Sequence, residues 1–303
     1  MSKTRWVTTL SVILVWAQIG TAQQSKVLVK VNGQSITAAD LEFAFISRRI
    51  PEELRESVRE RFLDVLIDKK LLAAFLAEKR VEPNKAEVDA QVEALKRAIK
   101  TRGNDPAKVL GPLGYTDQAL RNEFALPSAW RTYARLVIAK KDISEYWEQH
   151  RSEFDGTRIT AAHIVKKVKK EDGQTFNGAI QQLEKVRSDI LAKKLTFTEA
   201  AAKHSDSPTK TRGGDLGSFR FGGRMPPEID QVAFQLQDDE ISKPFRTRFG
   251  VHILTVTKRS PGQLSLEDVR ENVFKALSLH IQHEVIRKQR ESAKIERTSK
   301  AAS

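Results

Sequence analysis

The chain of 303 residues contains no cysteine. That excludes a disulfide framework, a thiol nucleophile, thiolate metal ligation and a lipid-modified N-terminal cysteine. Glycine and proline are also scarce, at 15 and 10, which points away from low-complexity sequence and toward regular structure along most of the chain. Long apolar runs are missing after the first two dozen residues, so no later segment is expected to span a membrane. No internal repeat is present, because the one strand-rich pattern occurs once. What remains is an ordinary globular composition, 40% hydrophobic and 30% charged, with a net charge of +13. Such a surplus favours anionic partners without choosing among them, and a well-solvated helical surface accounts for it equally.

The N-terminus carries the three-part layout of a secretory signal peptide. Lys3 and Arg5 form a charged start, Trp6 to Ile19 is mostly apolar, and Gly20, Thr21 and Ala22 supply small residues before Gln23. Cleavage after Ala22 is expected. The apolar stretch, about 14 residues, is short for a core of roughly 30 Å. Thr8, Thr9 and Ser11 dilute it further, so an uncleaved anchor is the lesser reading. The protein is therefore expected to be exported, to the periplasm or beyond, with no integral membrane segment after cleavage.

The rest divides by pattern into 23–157, 158–259 and 260–303. Val27 to Val31 reads as a strand turned by Asn32-Gly33, a pair suited to positive φ. Thr37 and Asp40 form a capping pair for the next helix. Glu52 to Arg80 reads as one long amphipathic helix, with Leu54, Val58, Phe62, Val65, Leu72 and Phe75 on one face. Asn84 and Glu87 open another, with a stripe of Val88, Val92, Leu95 and Ile99. Thr101 to Tyr115 is expected to be a loop, followed by helices over Thr116 to Ala139 and Ser144 to Phe154. From Arg158 to Arg259 short strands and glycine-rich turns take over. A last helix is expected from Ser265 to about Arg297, with Val269, Val273, Leu277, Ile281 and Val285 along one side. It has little to pack on in a small mixed domain, so it is expected to return to the N-terminal helices.

Three pieces of the middle segment carry chemistry. A first strand, Arg158 to Val165, has His163 near its centre. A second piece runs from His204-Ser-Asp-Ser-Pro208 through Gly213-Gly-Asp-Leu-Gly217 and Phe219 to Arg224-Met225-Pro226-Pro227. The third, Pro244 to Leu254, includes Thr247, Phe249, Gly250 and His252. Together these resemble the parvulin family of prolyl isomerases, in the family's order over about one hundred residues. The surrounding strand-helix start and returning C-terminal helix are similar in layout to the SurA/PrsA type of exported foldase.

That resemblance implies an α+β fold: a four-stranded antiparallel sheet with surrounding helices, in the order β-α-α-β-α-β-β, inserted in a mostly α-helical chaperone module. The residues agree with it. Arg158 to Val168, Leu216 to Phe221 and the segments near Ile241 and His252 read as strands. Phe176 to Lys193, Phe197 to Lys203 and Glu228 to Leu236 read as helices. The resemblance also implies a proline pocket of Leu216, Met225, Ile229 and Phe249 above a polar group of His163, His252, Thr247, Asp206 and Ser207. It implies no cofactor and no metal, since twisting an amide needs neither. Two positions depart from the family pattern: Ser207 stands where cysteine or aspartate is usual, and Ile229 where phenylalanine is usual.

The function implied is cis-trans isomerisation of X-Pro bonds, with chaperone activity toward unfolded exported proteins. Its partners are extended polypeptides containing X-Pro bonds. An alternative reading is a non-catalytic holdase that keeps the parvulin fold as a peptide platform, which the Ser207 and Ile229 departures favour. Other chemistries fit less well. His204, Ser205 and Asp206 are adjacent and cannot form a nucleophile-base-orienter line. His280 and His283 lack a third ligand. Lys166, Lys167, Lys169 and Lys170 form either a solvated loop or an acidic-side-chain preference. The stretch Arg220 to Arg224 lacks the regularly spaced aromatics of a nucleic-acid binder, so no nucleic-acid partner is expected.

Overall fold

The computed structural model describes residues 26–111, 115–168 and 175–298. The segment read as a signal peptide, Lys169 and Lys170 lie outside the described residues. By internal contacts the described residues form two compact units, one comprising those up to Trp130 with those from Val285 onward, the other those between Arg131 and Glu284.

The first unit begins with β1 (Val27–Val31) and β2 (Gln34–Thr37), joined where Asn32 (φ 48°) and Gly33 (φ 82°) take up the left-handed conformations their types favour. Helix α1 (Ala38–Ser47) follows at once. Thr37 and Asp40 close a full capping box at its start, each side chain accepting from the other's backbone N–H. Next come α2 (Glu52–Glu78) and α3 (Lys85–Lys100), the latter capped by Asn84 accepting from the Glu87 N–H at 3.0 Å. The segment 101–115, expected to be loop throughout, contains a short helix α4 (Pro106–Leu110). Asp105 caps it and Pro106 occupies the first turn, where a missing N–H costs nothing. Helix α5 (Asp117–Val137) continues through Pro127, and its residues from Arg131 on belong to the second unit.

Apolar clusters among the described residues help hold this unit. Val29, Val31, Ile36, Phe45, Phe62, Ile67 and Leu71 form the larger, while Val92, Leu110 and Leu120 centre the smaller.

In the second unit, α6 (Lys140–Phe154) leads into β3 (Arg158–Lys166), α7 (Phe176–Leu191), α8 (Phe197–His204) and a 3-10 turn over Pro208–Arg212. Then follow β4 (Asp215–Phe219), α9 (Pro227–Gln235), β5 (Phe245–Thr247), β6 (Gly250–Ser260) and α10 (Leu266–Ser292), whose residues from Val285 on belong to the first unit. The sheet is antiparallel in the order β4-β3-β6-β5. This is the expected element order, with one difference. The strand expected near Ile241 is only a bridge from Ile241 to Thr255, and the paired strand is β5.

Strand alternation sorts the sheet into two faces. Ile164, Val251 and Ile253 point to α7 and α8, where they bury Ala179, Leu183, Ala200 and Ala201. Ile159, Ala161, Leu254 and Val256 point the other way, toward α9 and its Ile229, Ala233 and Phe234. The chain enters and leaves this sheet at one place. Leu264 N–H donates to the Asp155 carbonyl at 3.0 Å, and Gly262 N–H donates to Thr157 Oγ1 at 3.0 Å. A side chain at Gly262 would meet the Asp155 carbonyl at 2.0 Å, so only glycine fits that approach.

The C-terminal helix is shorter than the expected span to about Arg297. It stops at Ser292, and Ile295–Arg297 form β7, which pairs antiparallel with Val29–Val31 in the first unit. The edge of β1 offers unpaired N–H and C=O groups, and three extended residues satisfy them better than another helical turn could. Arg297 fixes the segment through ion pairs to Glu60 and Asp64, and Arg290 bonds Asp68 at 2.6 Å.

Candidate functional site

His163 lies on β3 and His252 on β6, adjacent strands of the sheet. Their register pairs His163 with Leu254 and Val165 with His252, which makes the two histidines diagonal neighbours on one face. That face is the one shared with α9. Their rings stand 5.3 Å apart, and the two Nδ1 atoms approach to 3.2 Å. The outer nitrogens are each matched by a hydroxyl: His163 Nε2 lies 3.1 Å from Ser207 Oγ, and His252 Nε2 lies 2.8 Å from Thr247 Oγ1. The result is a continuous chain, Ser207–His163–His252–Thr247.

Proton bookkeeping constrains this chain. Two bare nitrogens facing each other would repel, and two N–H groups would clash. One ring is therefore protonated on Nδ1 and the other on Nε2. Burial disfavours any further proton. Desolvation pulls His163 down to about 4, and desolvation with the neighbouring imidazole pulls His252 down to about 4. Both rings are neutral near pH 7.

The hydroxyls are anchored by backbone. Phe249 N–H donates to Thr247 Oγ1 at 3.0 Å and Thr209 N–H donates to Ser207 Oγ at 3.2 Å. Ser207 reaches the histidines because its segment runs alongside β3: Asp206 N–H donates to the Val165 carbonyl at 2.8 Å. The same extended backbone separates Asp206 from the network, since neighbouring side chains point to opposite sides. Its carboxylate accepts from Lys167 N–H at 3.0 Å and from Lys166 Nζ at 3.4 Å. Asp206, expected in the polar group, is thus not part of it, and it occupies Lys166 of the basic loop.

Gly214 sets how closely the turn approaches β3. Its carbonyl accepts from His163 N–H at 2.9 Å with φ at 82°, and a Cβ there would fall 2.2 Å from the His163 carbonyl oxygen. Any side chain would lift the turn off the histidine strand.

The four expected pocket residues separate into two levels. Met225 and Phe249 line one open groove of about 360 Å³ with Pro226 and Pro227, flanked by Arg224 and Arg248. Phe249 is 51% exposed. Leu216 packs with Met225 on the α9-side cluster. Ile229, at 3% exposed, lies inside that cluster and supports the groove from below rather than forming its face.

Three contributors were missed at the level of sequence. Phe245 stacks on His252 with ring centres 5.6 Å apart. Ser205 is buried and accepts from both Val165 N–H and Ser207 N–H, each at 3.2 Å. Asp230 is 2% exposed, with one oxygen accepting from Gly222 N–H at 3.0 Å and the other, Oδ1, unpaired. Burial raises its pKa above the usual carboxylate value. It tethers the loop that leads to Met225. Only the alternation of β3 and β6 was a sequence signal for any of these.

Two outcomes are expected. The histidine pair makes stability depend on pH. Above about 6.5 both folded and unfolded rings are neutral, and between about 6.5 and 4 the unfolded chain binds protons that the folded rings refuse. Denaturant unfolding should show stability falling across that window, and a His163→Gln/His252→Gln pair should fall less steeply. An equal slope would remove the buried neutral pair. Separately, hydrogen exchange at the Gly222 amide should quicken about tenfold or more in Asp230→Leu and stay slow in Asp230→Asn, which keeps an acceptor. Unchanged exchange in the leucine variant would remove the tether.

Residues 163–258 match the rotamase family described as the PPIC-type PPIase domain. The foldase protein PrsA of Halalkalibacterium halodurans is 27% identical over 271 residues, covering 86% of this chain and 73% of that protein. The putative peptidyl-prolyl cis-trans isomerase SurA of Haemophilus influenzae is 34% identical over 164 residues, covering 52% of this chain and 51% of its own. A crystal structure of the peptidylprolyl isomerase PrsA from Bacillus anthracis superposes with a TM-score of 0.43 at 21% identity, covering 75% of this chain and 94% of that one. Residues 163–258 are accordingly a PPIC-type parvulin domain, carried in a chain related to the PrsA and SurA proteins.

Proposed function

We propose that this protein isomerises X-Pro bonds in unfolded exported polypeptides and shields those polypeptides while they fold. The observation that carries the reading is the neutral Ser207–His163–His252–Thr247 chain in a domain of the prolyl isomerase family, with a groove that presents Met225, Pro226 and Phe249 between charged side chains.

The barrier to rotating an X-Pro bond comes from amide conjugation, ~18–20 kcal/mol, and makes uncatalysed exchange take tens to hundreds of seconds. No bond has to be made or broken. The enzyme has only to favour the twisted amide over the planar one. Met225 and Phe249 would grip the prolyl ring, while Leu216 and Ile229 hold the groove's underside. His163, His252, Ser207 and Thr247 would form a preorganised polar platform whose dipoles suit the less charged carbonyl of the twisted state. Because both histidines are neutral, their part is electrostatic and orienting, not that of a nucleophile. Asp206 would act at one remove, holding the Ser207 segment against β3.

Ser207 retains the network despite the residue usual at its position. Its hydroxyl sits 3.1 Å from His163, and Thr209 donates to it from behind. The isoleucine at 229 is sequestered in the core, so its difference from phenylalanine does not strip the groove face. These two points favour turnover over the holdase reading, as do relatives that bear the names isomerase and foldase. The N-terminal layout supports export, to the periplasm or outside the cell.

Exchange spectroscopy on short X-Pro peptides should show acceleration by the folded protein. His163→Ala should slow it about tenfold, near the ~1.4 kcal/mol expected for one lost hydrogen bond in a buried network. No acceleration by the wild type, with any residue before proline, would leave the holdase reading in its place.

A further inference from the structure

We propose that the groove between α1, α2 and α5 of the first unit is a second polypeptide site, which takes apolar segments flanked by acidic side chains. The inference deepens the chaperone reading above and depends on it for its biological sense.

The cavity there has a volume of about 540 Å³, larger than the groove at Met225 and within the ~300–1,000 Å³ usual for binding pockets. Phe43 of α1, Val65, Leu66 and Ala73 of α2, and Ala119 and Leu126 of α5 line it. Phe43 is fixed against Tyr115, with ring centres 4.6 Å apart. Phe43, Val65, Leu66, Ala119 and Leu126 are all half-buried. Helices that present apolar side chains to a shared trough of this kind suit an apolar peptide face.

The charges around the trough say which peptides. Asp40, Arg48, Lys69, Lys70 and Glu123 surround it. Both carboxylates are already used within the fold. Asp40 accepts from Thr37 N–H and Oγ1 at 2.8 Å, and Glu123 takes Lys69 Nζ at 2.8 Å. The cations are not balanced in the same way. Arg48 lies over the Phe62 ring at 5.3 Å, and among the described residues neither it nor Lys70 meets a carboxylate. An apolar floor under two uncompensated cations selects acidic flanks and repels basic ones.

The test uses the full mature chain and two proline-free 15-residue peptides with one apolar core, flanked by glutamates or by lysines. Fluorescence anisotropy should show the glutamate peptide binding about tenfold tighter, with the margin shrinking as salt rises. Arg48→Glu/Lys70→Glu should reverse the preference, and Ala73→Trp, which fills the trough from an exposed position, should weaken both peptides. Each variant should keep the wild-type melting curve and the wild-type exchange rate on a short X-Pro peptide. Equal binding of the two peptides, or a preference that survives charge reversal, would overturn the proposal. The two readings fail separately. X-Pro exchange without peptide binding removes this groove alone, whereas peptide binding that reverses as described, without X-Pro exchange, removes the isomerase and leaves the groove.

Discussion

Two imidazoles placed Nδ1 to Nδ1 in a buried site can coexist only if they share a single proton between them. That requirement governs the second unit. It needs β3 and β6 in a register that makes His163 and His252 diagonal neighbours, and it needs a hydroxyl at each outer nitrogen. It also needs those hydroxyls to be fixed, which the Phe249 and Thr209 amides do. The glycine turn at 214 closes against the His163 backbone, and the 205–207 segment lies along the end of β3. A one-residue slip of β6 would send His252 to the α7 side and break the chain at its centre.

The same arrangement explains why neutrality is cheap to maintain. A charged ring would have to be desolvated without a carboxylate beside it, since Asp206 faces away toward Lys166 and Lys167. Asp230, in the first turn of α9, is itself buried and bonded to Gly222. Among the described residues no carboxylate bonds the histidine chain, and the site is a set of fixed dipoles. Such a site is suited to rotation about a bond and unsuited to cleaving one.

Much of this was legible in the sequence because it is written in local patterns. The Thr37–Asp40 and Asn84–Glu87 caps, the Asn32-Gly33 turn, and the alternation around His163 and His252 each specify their own structure within a few residues. Long-range partnerships were not legible in the same way. Nothing local in Ile295–Arg297 tells that it will leave the helix to pair with β1. Asp206 was assigned to the polar group because it adjoins Ser207, and it is excluded for the same reason, since adjacent residues of an extended segment face opposite ways. Ile229 reads as pocket wall by position and proves to be core by packing. The stacking of Phe245 on His252 depends on β5 starting at 245 rather than near Ile241, a matter of pairing and not of propensity.

The central claim is that His163 and His252 are neutral, of opposite tautomers, and joined through one proton. Long-range proton–nitrogen NMR on the folded, imidazole-labelled protein at pH 7 reads this directly. The account predicts one histidine protonated at Nδ1 and the other at Nε2, with both rings staying neutral down to near pH 4. A ring carrying two protons at pH 7, or two rings both protonated at Nε2, would contradict it.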